Sequence, residues 1–263
     1  MKVAFSIILN GLHHLKHNDY YKKMLENFDL WVVAEGASLN QGSTNWCKQM
    51  NEKYHKNGRS VDGTLEFLTE LMQKNTNLKC AIKEGLWNSK DEQVNGAICL
   101  IKSVTNKATL FQVDIDEQWT KEEIESACSE MKERKLKVGA CLANCYVGKD
   151  IIAVGQWGEL RPSGYIRVWD WEGEYFLKHE PPTLNCPQGN FGTLKARFNH
   201  YNYYFEEDVK FKNDWYGGHE GIYEKWKNIN SLPKESFPLH ISNLISGPWG
   251  GSNTLLIKES EKK

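Results

Sequence analysis

Apolar residues in the first half of the chain come in short unbroken runs, separated by stretches where they recur every three or four positions. The runs Val3-Ala4-Phe5-Ser6-Ile7-Ile8-Leu9, Leu30-Trp31-Val32-Val33-Ala34, Cys80-Ala81-Ile82 and Leu110-Phe111-Gln112-Val113 predict buried strands. Between them, Tyr21, Met24, Leu25 and Phe28 share the inner face of a helix over 18–27. Leu65, Leu68 and Leu71 are in phase on a helix opened by Asp62-Gly63-Thr64. Val94, Ile98 and Ile101 are in phase behind the capping box Ser89-Lys90-Asp91-Glu92, and a second box, Thr120-Lys121-Glu122-Glu123, opens a helix over 120–136. Strands alternating with helices in this order predict a parallel sheet with crossover helices. After residue 136 the pattern changes. Residues 138–147, 151–154 and 164–169 read as shorter, antiparallel strands, and 205–212 and 219–228 as helices. The fold class is therefore α/β: a Rossmann-type sheet with crossover helices, followed by a mixed α+β, aromatic-rich C-terminal half. Residues 1–257 are read as one domain and 258–263 as a disordered tail.

The candidate chemistry sits where the fourth apolar run ends. Leu110-Phe111-Gln112-Val113 delivers Asp114-Ile115-Asp116-Glu117, and a helix follows at once. Alternation along a strand places Asp114 and Asp116 on one face. Open α/β sheets bind ligands at the carboxyl ends of their strands. Two carboxylates there call for a cation, and a divalent ion carrying phosphates, Mg²⁺ or Mn²⁺, is the natural partner. The plainer alternative is an acidic pair ahead of a helix, favoured by its dipole.

Composition narrows the setting. A net charge of −1 gives no general attraction to nucleic acid or to an anionic membrane. No apolar run reaches the length of a membrane helix. Seven cysteines without a CxxC spacing read as reduced thiols of a cytoplasmic protein.

The ordered set of strand-end motifs resembles the GT-A fold of nucleotide-sugar glycosyltransferases, in particular the family-two-like enzymes. The first strand ends in Leu9-Asn10-Gly11, the second in Glu35-Gly36-Ala37-Ser38, and the third leads through Lys83-Glu84-Gly85 to Lys90-Asp91-Glu92-Gln93. The fourth ends in the D-x-D of Asp114 and Asp116. The likeness runs across residues 3–120. The usual acidic pair followed by Gly-Ser-Thr-Asp is replaced by Glu35 alone, with Gly42-Ser43-Thr44 displaced.

The resemblance implies a nucleotide-sugar-binding half over 1–120 and an acceptor-binding half over 121–257. It implies that Asn10 and Glu35 lie at the donor's base, Glu35 accepting from a uracil N3–H. Lys90 or Lys83 would meet ribose or phosphates, Asp91 a hydroxyl, Asp114 ribose or metal, and Asp116 the metal. In the second half, Glu207 and Asp208 (with Glu206 beside them) offer a general base, and His200 followed by Lys212 would complete the metal shell and meet the diphosphate. His179, His219 and His240 compete for the metal place. Trp157, Trp169, Trp171, Glu172 and Glu174 are candidates for an acceptor platform, Arg161, Arg167 and Lys178 for an anionic acceptor group, and Gly247–Ser252 for a lid. The implied activity is a hexosyltransferase-type enzyme, inverting, that uses a UDP-sugar and a glycan or other hydroxyl acceptor. The rivals are a sugar-nucleotide nucleotidyltransferase, whose basic Gly-rich loop Asn10-Gly11-Leu12-His13-His14 lacks, and a non-catalytic carbohydrate-binding protein.

Overall fold

The computed structural model describes residues 1–156, 164–185, 189–217, 219–245 and 253–262. Trp157, Arg161 and the loop 247–252 lie outside the described residues.

The first half follows the alternation. Strands β1 (Lys2–Ile8), β2 (Leu30–Glu35), β3 (Leu78–Ile82) and β4 (Ala108–Gln112) are parallel in the order β3-β2-β1-β4. They are linked by α1 (Leu12–Lys16) and α2 (Tyr20–Asn27), then α3 (Thr64–Lys74), then α4 (Lys90–Lys102). Alternate residues of β1 serve the two faces. Ala4 and Ile8 pack with Met24, Leu68 and Ile124, while Val3 and Phe5 pack with Val94, Ile98 and Ile101. Ser89 caps α4 by accepting from the Glu92 amide at 3.0 Å, as the sequence pattern predicts. The helix expected over 18–27 is α2, which starts only at Tyr20 because Asn18 and Asp19 both take left-handed backbone angles (φ 49° and 56°) and separate it from α1.

Strand β4 stops two residues before Asp114. The Glu117 amide then bonds the Asp114 carbonyl at 2.9 Å, closing a tight turn that leads into β5 (Glu117–Gln118) and α5 (Lys121–Glu133). Beyond it the same sheet continues. Strands β6 (Val138–Tyr146), β7 (Ile151–Gly155) and β8 (Tyr165–Trp171) are mutually antiparallel where they pair, and β8 runs antiparallel to β4. The ribbon β9 (Phe176–Lys178) with β10 (Thr183–Leu184) precedes β11 (Phe191–His200), a long strand absent from the expectation. It lies parallel to β6 and buries Gly192, Leu194, Ala196 and Phe198 on alternate positions. Glycine and alanine at those places hide the period-two signal. Its end pairs with β5, Asn199 opposite Gln118 and His200 opposite Glu117. The helices α6 (Glu206–Trp215) and α7 (Ile222–Ser231) and the strands β12 (Leu239–His240) and β13 (Thr254–Lys258) complete the chain.

The stretch read as a tail from 258 is ordered as far as described. Lys258 pairs with Ile151 in the sheet, and the Glu259 amide bonds the Asp150 carbonyl at 2.8 Å. Charge alone suggested disorder, but Lys258 keeps its ammonium on Asp150 at 3.1 Å. No two of the six described cysteines are joined by a disulfide. Among the described residues no helix is long and apolar enough to cross a membrane.

Beyond the ends of β2 and β3 two backbones meet at Gly58 and Gly85. At Gly58 (φ +80°) a Cβ would lie 2.0 Å from the Gly85 carbonyl oxygen, whereas at Gly85 (φ +77°) it would meet nothing within 4 Å. Gly58→Ala is expected to cost at least about 2 kcal/mol, and Gly85→Ala about 1 kcal/mol for its backbone angle alone. Urea midpoints of the two variants check the ranking.

Candidate active site at the strand ends

The D-x-D carboxylates do not share one spot. Because they stand in a turn and not in a continued strand, each has its own partners. Asp114 is held by Arg167, Nη2 to Oδ2 at 3.0 Å, and its other oxygen accepts from the Gln112 amide at 3.1 Å. Arg167 sits on β8 and also clasps Glu117, with Nε to Oε1 at 2.8 Å and Nη2 to Oε1 at 2.7 Å. Glu117 is fully buried, and burial pushes its carboxyl upward against the pull of Arg167. Arg167 is thus an internal counterion and not an acceptor-binding group.

Asp116 has a different set of partners, on β11 and α6. Its Oδ2 lies 3.5 Å from His200 Nε2 at the end of β11 and 3.5 Å from Lys212 Nζ on α6. Burial works against ionisation of Asp116, but His200 and then Lys212 overcome it and hold the carboxyl well below its ordinary range. Burial likewise opposes charge on His200, yet Asp116 raises it to about 10. The turn lies more than eighty positions before the strand and the helix in the sequence, and the structure brings the three residues together.

A divalent ion fits part of this set. Ligand bonds of about 2.1 Å to a carboxylate oxygen and an imidazole nitrogen are compatible with a 3.5 Å gap between those atoms. Asp116 and His200 therefore suit a metal. Asp114 does not join them here, since both of its oxygens are already engaged.

The remaining candidates divide. Lys90, first residue of α4, is half-buried, lies over the Trp215 ring at 4.5 Å, and has no ion-pair partner among the described residues. Burial lowers its pKa, with Asp114 and Asp116 among the charges that oppose this. Lys83 is spent on Glu92 at 2.9 Å. Asp91 is structural: its carboxylate accepts from the amides of Ser43 at 3.0 Å and His179 at 2.6 Å. Asn10 ties down the loop at 54–61, donating to the Tyr54 carbonyl at 2.6 Å and accepting from the Val61 amide at 2.8 Å. Glu35 ends β2 with one oxygen on the Ser60 amide at 2.9 Å, while Oε2 is buried without a partner among the described residues. Burial raises its pKa.

In the first turn of α6, Glu206 serves Tyr223 and Lys210, Glu207 is exposed, and Asp208 is held by His13 and His14. Burial would raise the Asp208 carboxyl, yet His14 and His13 hold it at about 2. These histidines follow β1 directly, and in the sequence two adjacent imidazoles carry no motif. Trp169 and Trp171 are core residues, and Glu172 and Glu174 pair with Lys107 and Lys137, so none forms an acceptor platform. Lys178 is exposed on β9. Of the competing histidines, His219 bonds the Tyr203 hydroxyl at 3.0 Å, and His240 bonds the Ser242 hydroxyl at 2.9 Å.

His179 is buried beside Lys90 and Asp114, and burial followed by Lys90 lowers it to about 4. Unfolding frees it to titrate near 6.5, so the unfolded chain binds the extra proton between those values. This contribution to stability is full above about pH 6.5 and falls as pH drops toward 4, by up to about 3 kcal/mol. His179→Gln should flatten that slope, as denaturant titrations at stepped pH would read.

The strand order, with β8 antiparallel beside β4 and an acidic turn at the end of β4, defines a GT-A-like mixed α/β fold. Among solved structures it is similar to S. aureus TarS 1–349, at 13% identity and a TM-score of 0.44 over 81% of this chain and 63% of that one. It is also similar to S. aureus TarS, at 14% identity and a TM-score of 0.41 over 92% of this chain and 45% of that one. The third is TarS 1–349 in complex with UDP-GlcNAc, at 13% identity and 0.40 over 81% and 64%. The chain spans less than two thirds of the length of these structures. No family model and no curated protein matches the sequence.

Proposed function

We propose that the protein is a metal-dependent glycosyltransferase that moves a sugar from a nucleoside diphosphate donor, a UDP-sugar, to a hydroxyl of a glycan or similar acceptor. The observation that carries the reading is the meeting of Asp116, His200 and Lys212 at the strand ends, within electrostatic reach of Lys90, which has no ion-pair partner among the described residues. A carboxylate and an imidazole suit a divalent ion, Mn²⁺ or Mg²⁺, and two lysines suit a diphosphate. The ion, when bound, supplies Lewis-acid stabilisation of the departing diphosphate. Lys212 and Lys90 hold phosphate oxygens and offset the charge that grows as the anomeric carbon–oxygen bond breaks. Glu35, with one oxygen free, accepts from the N3–H of the base.

For inversion, a carboxylate takes the acceptor's proton while the acceptor oxygen bonds the anomeric carbon from the opposite face. Asp208 is the better placed of the α6 acids, being ionised and turned inward, whereas Glu207 points to solvent.

Thermal stability measured against UDP, GDP, CDP and ADP, with and without Mn²⁺, tests the reading. One nucleotide should stabilise only when Mn²⁺ is present, by about 2.7 kcal/mol at a hundred times its Kd. Indifference to every nucleotide would sink it and leave the carbohydrate-binding alternative in front.

A further inference from the structure

A second group of side chains, held by the first turn of α6, has the make-up of a metal cradle. His13 and His14 are consecutive on α1, and both aim Nε2 at Asp208. His13 reaches Oδ1 at 3.0 Å and His14 reaches Oδ2 at 2.7 Å. The ligand atoms of all three residues lie within 4.8 Å of one another. An ion bonded at about 2.1 Å to a nitrogen and an oxygen at right angles holds those atoms about 3 Å apart. The cradle is therefore nearly at ligand spacing already.

The rings are also held in place. Each stands edge-on to Phe205, at centroid distances of 5.0 Å for His13 and 4.9 Å for His14. The His14 side chain is only 4% exposed. Without an ion, each imidazole meets the carboxylate by donating its Nε2–H. A neutral imidazole can carry that proton on Nδ1 instead, which frees Nε2 as a ligand without moving the ring. Two imidazole nitrogens and one carboxylate select zinc-class ions over magnesium, which takes oxygen shells.

We propose that His13, His14 and Asp208 form a second metal site, specific for a zinc-class divalent ion and separate from the Asp116–His200 pair. The site joins residues 195 and 194 positions apart, so an ion there staples the end of β1 to α6. An open coordination position remains for water or an anion, as three protein ligands leave it. Binding at this site does not depend on the transferase reading. If that reading holds, the ion occupies Asp208 and removes the base, so zinc-class ions inhibit where Mn²⁺ activates.

Equilibrium titration of the whole chain with Zn²⁺, and with Co²⁺ followed by its ligand-field absorption, tests the proposal. Wild type, His13→Ala, His14→Ala and Asp116→Asn are compared. One equivalent should bind to wild type and to Asp116→Asn alike, and His13→Ala should weaken it at least about 100-fold. His13 is 27% exposed, so its variant decides the matter even if His14→Ala fails to fold. Absence of saturable binding, or binding lost in Asp116→Asn and kept in His13→Ala, overturns the proposal. The nucleotide response with Mn²⁺ is read separately, so either idea can fail alone.

Discussion

Asp116→Asn is expected to lower sugar transfer about a thousandfold and to abolish the metal-dependent stabilisation by nucleotide. The substitution keeps the shape of the turn and removes the one charge that His200 and Lys212 share. A metal and its carboxylate supply several kcal/mol to a departing diphosphate, and about 4 kcal/mol corresponds to three powers of ten in rate. Its effect on His200 has a definite sign. Asp116 is what raises that imidazole to about 10, so in the variant His200 should titrate lower, as an NMR titration of its ring protons would show. Steady-state transfer with the nucleotide-sugar found in the stability screen gives the rate. A loss of tenfold or less would mean that the turn does not carry the chemistry.

Arg167→Met is expected to destabilise the fold by about 3–5 kcal/mol, the cost of leaving a buried charge without its partner. Glu117 is fully buried and Asp114 mostly so, and Arg167 is the cation that touches both. The loss should be largest above neutral pH, where Glu117 must be ionised. Below that, protonation offers it a way out, because burial already pushes its carboxyl to about 7. Pairing Arg167→Met with Glu117→Gln should recover a good part of the loss, since the uncompensated charge is gone. Denaturant unfolding of the single and double variants reads both effects, and a single-variant loss under about 1 kcal/mol would show that the pair is dispensable.

Much of the first half can be read from the sequence because its parallel strands are covered on both faces. Runs such as Leu30–Ala34 are therefore apolar throughout, and capping residues such as Ser89 mark the helices locally. The second half is harder for a physical reason. Strand β11 alternates small and large residues against β6, and its partner is chosen by contacts fifty positions away. The convergence of His200 and Lys212 on the acidic turn came from family resemblance; no local pattern encodes it. The role of Arg167 is hidden for the same reason. An arginine in an aromatic strand looks like a surface charge until Asp114 and Glu117 are seen beneath it. His13 and His14 carry no local signal because their partner, Asp208, lies 195 and 194 positions away.

The pairing of β5 with β11 bears on how such a chain can be recombined. His200 faces Glu117 across that ribbon, and the Tyr201 amide bonds the Asp116 carbonyl at 2.7 Å. The acidic turn and the histidine strand are thus one hydrogen-bonded unit, although they belong to opposite halves of the sequence. A chimera joined anywhere between residues 120 and 190 would splice a foreign strand onto this turn. It would have to reproduce the register of three residues, or import its own 114–119 as well. The working boundary for exchanging the second half lies inside the sheet, at this ribbon, and not at the point where the sequence changes character.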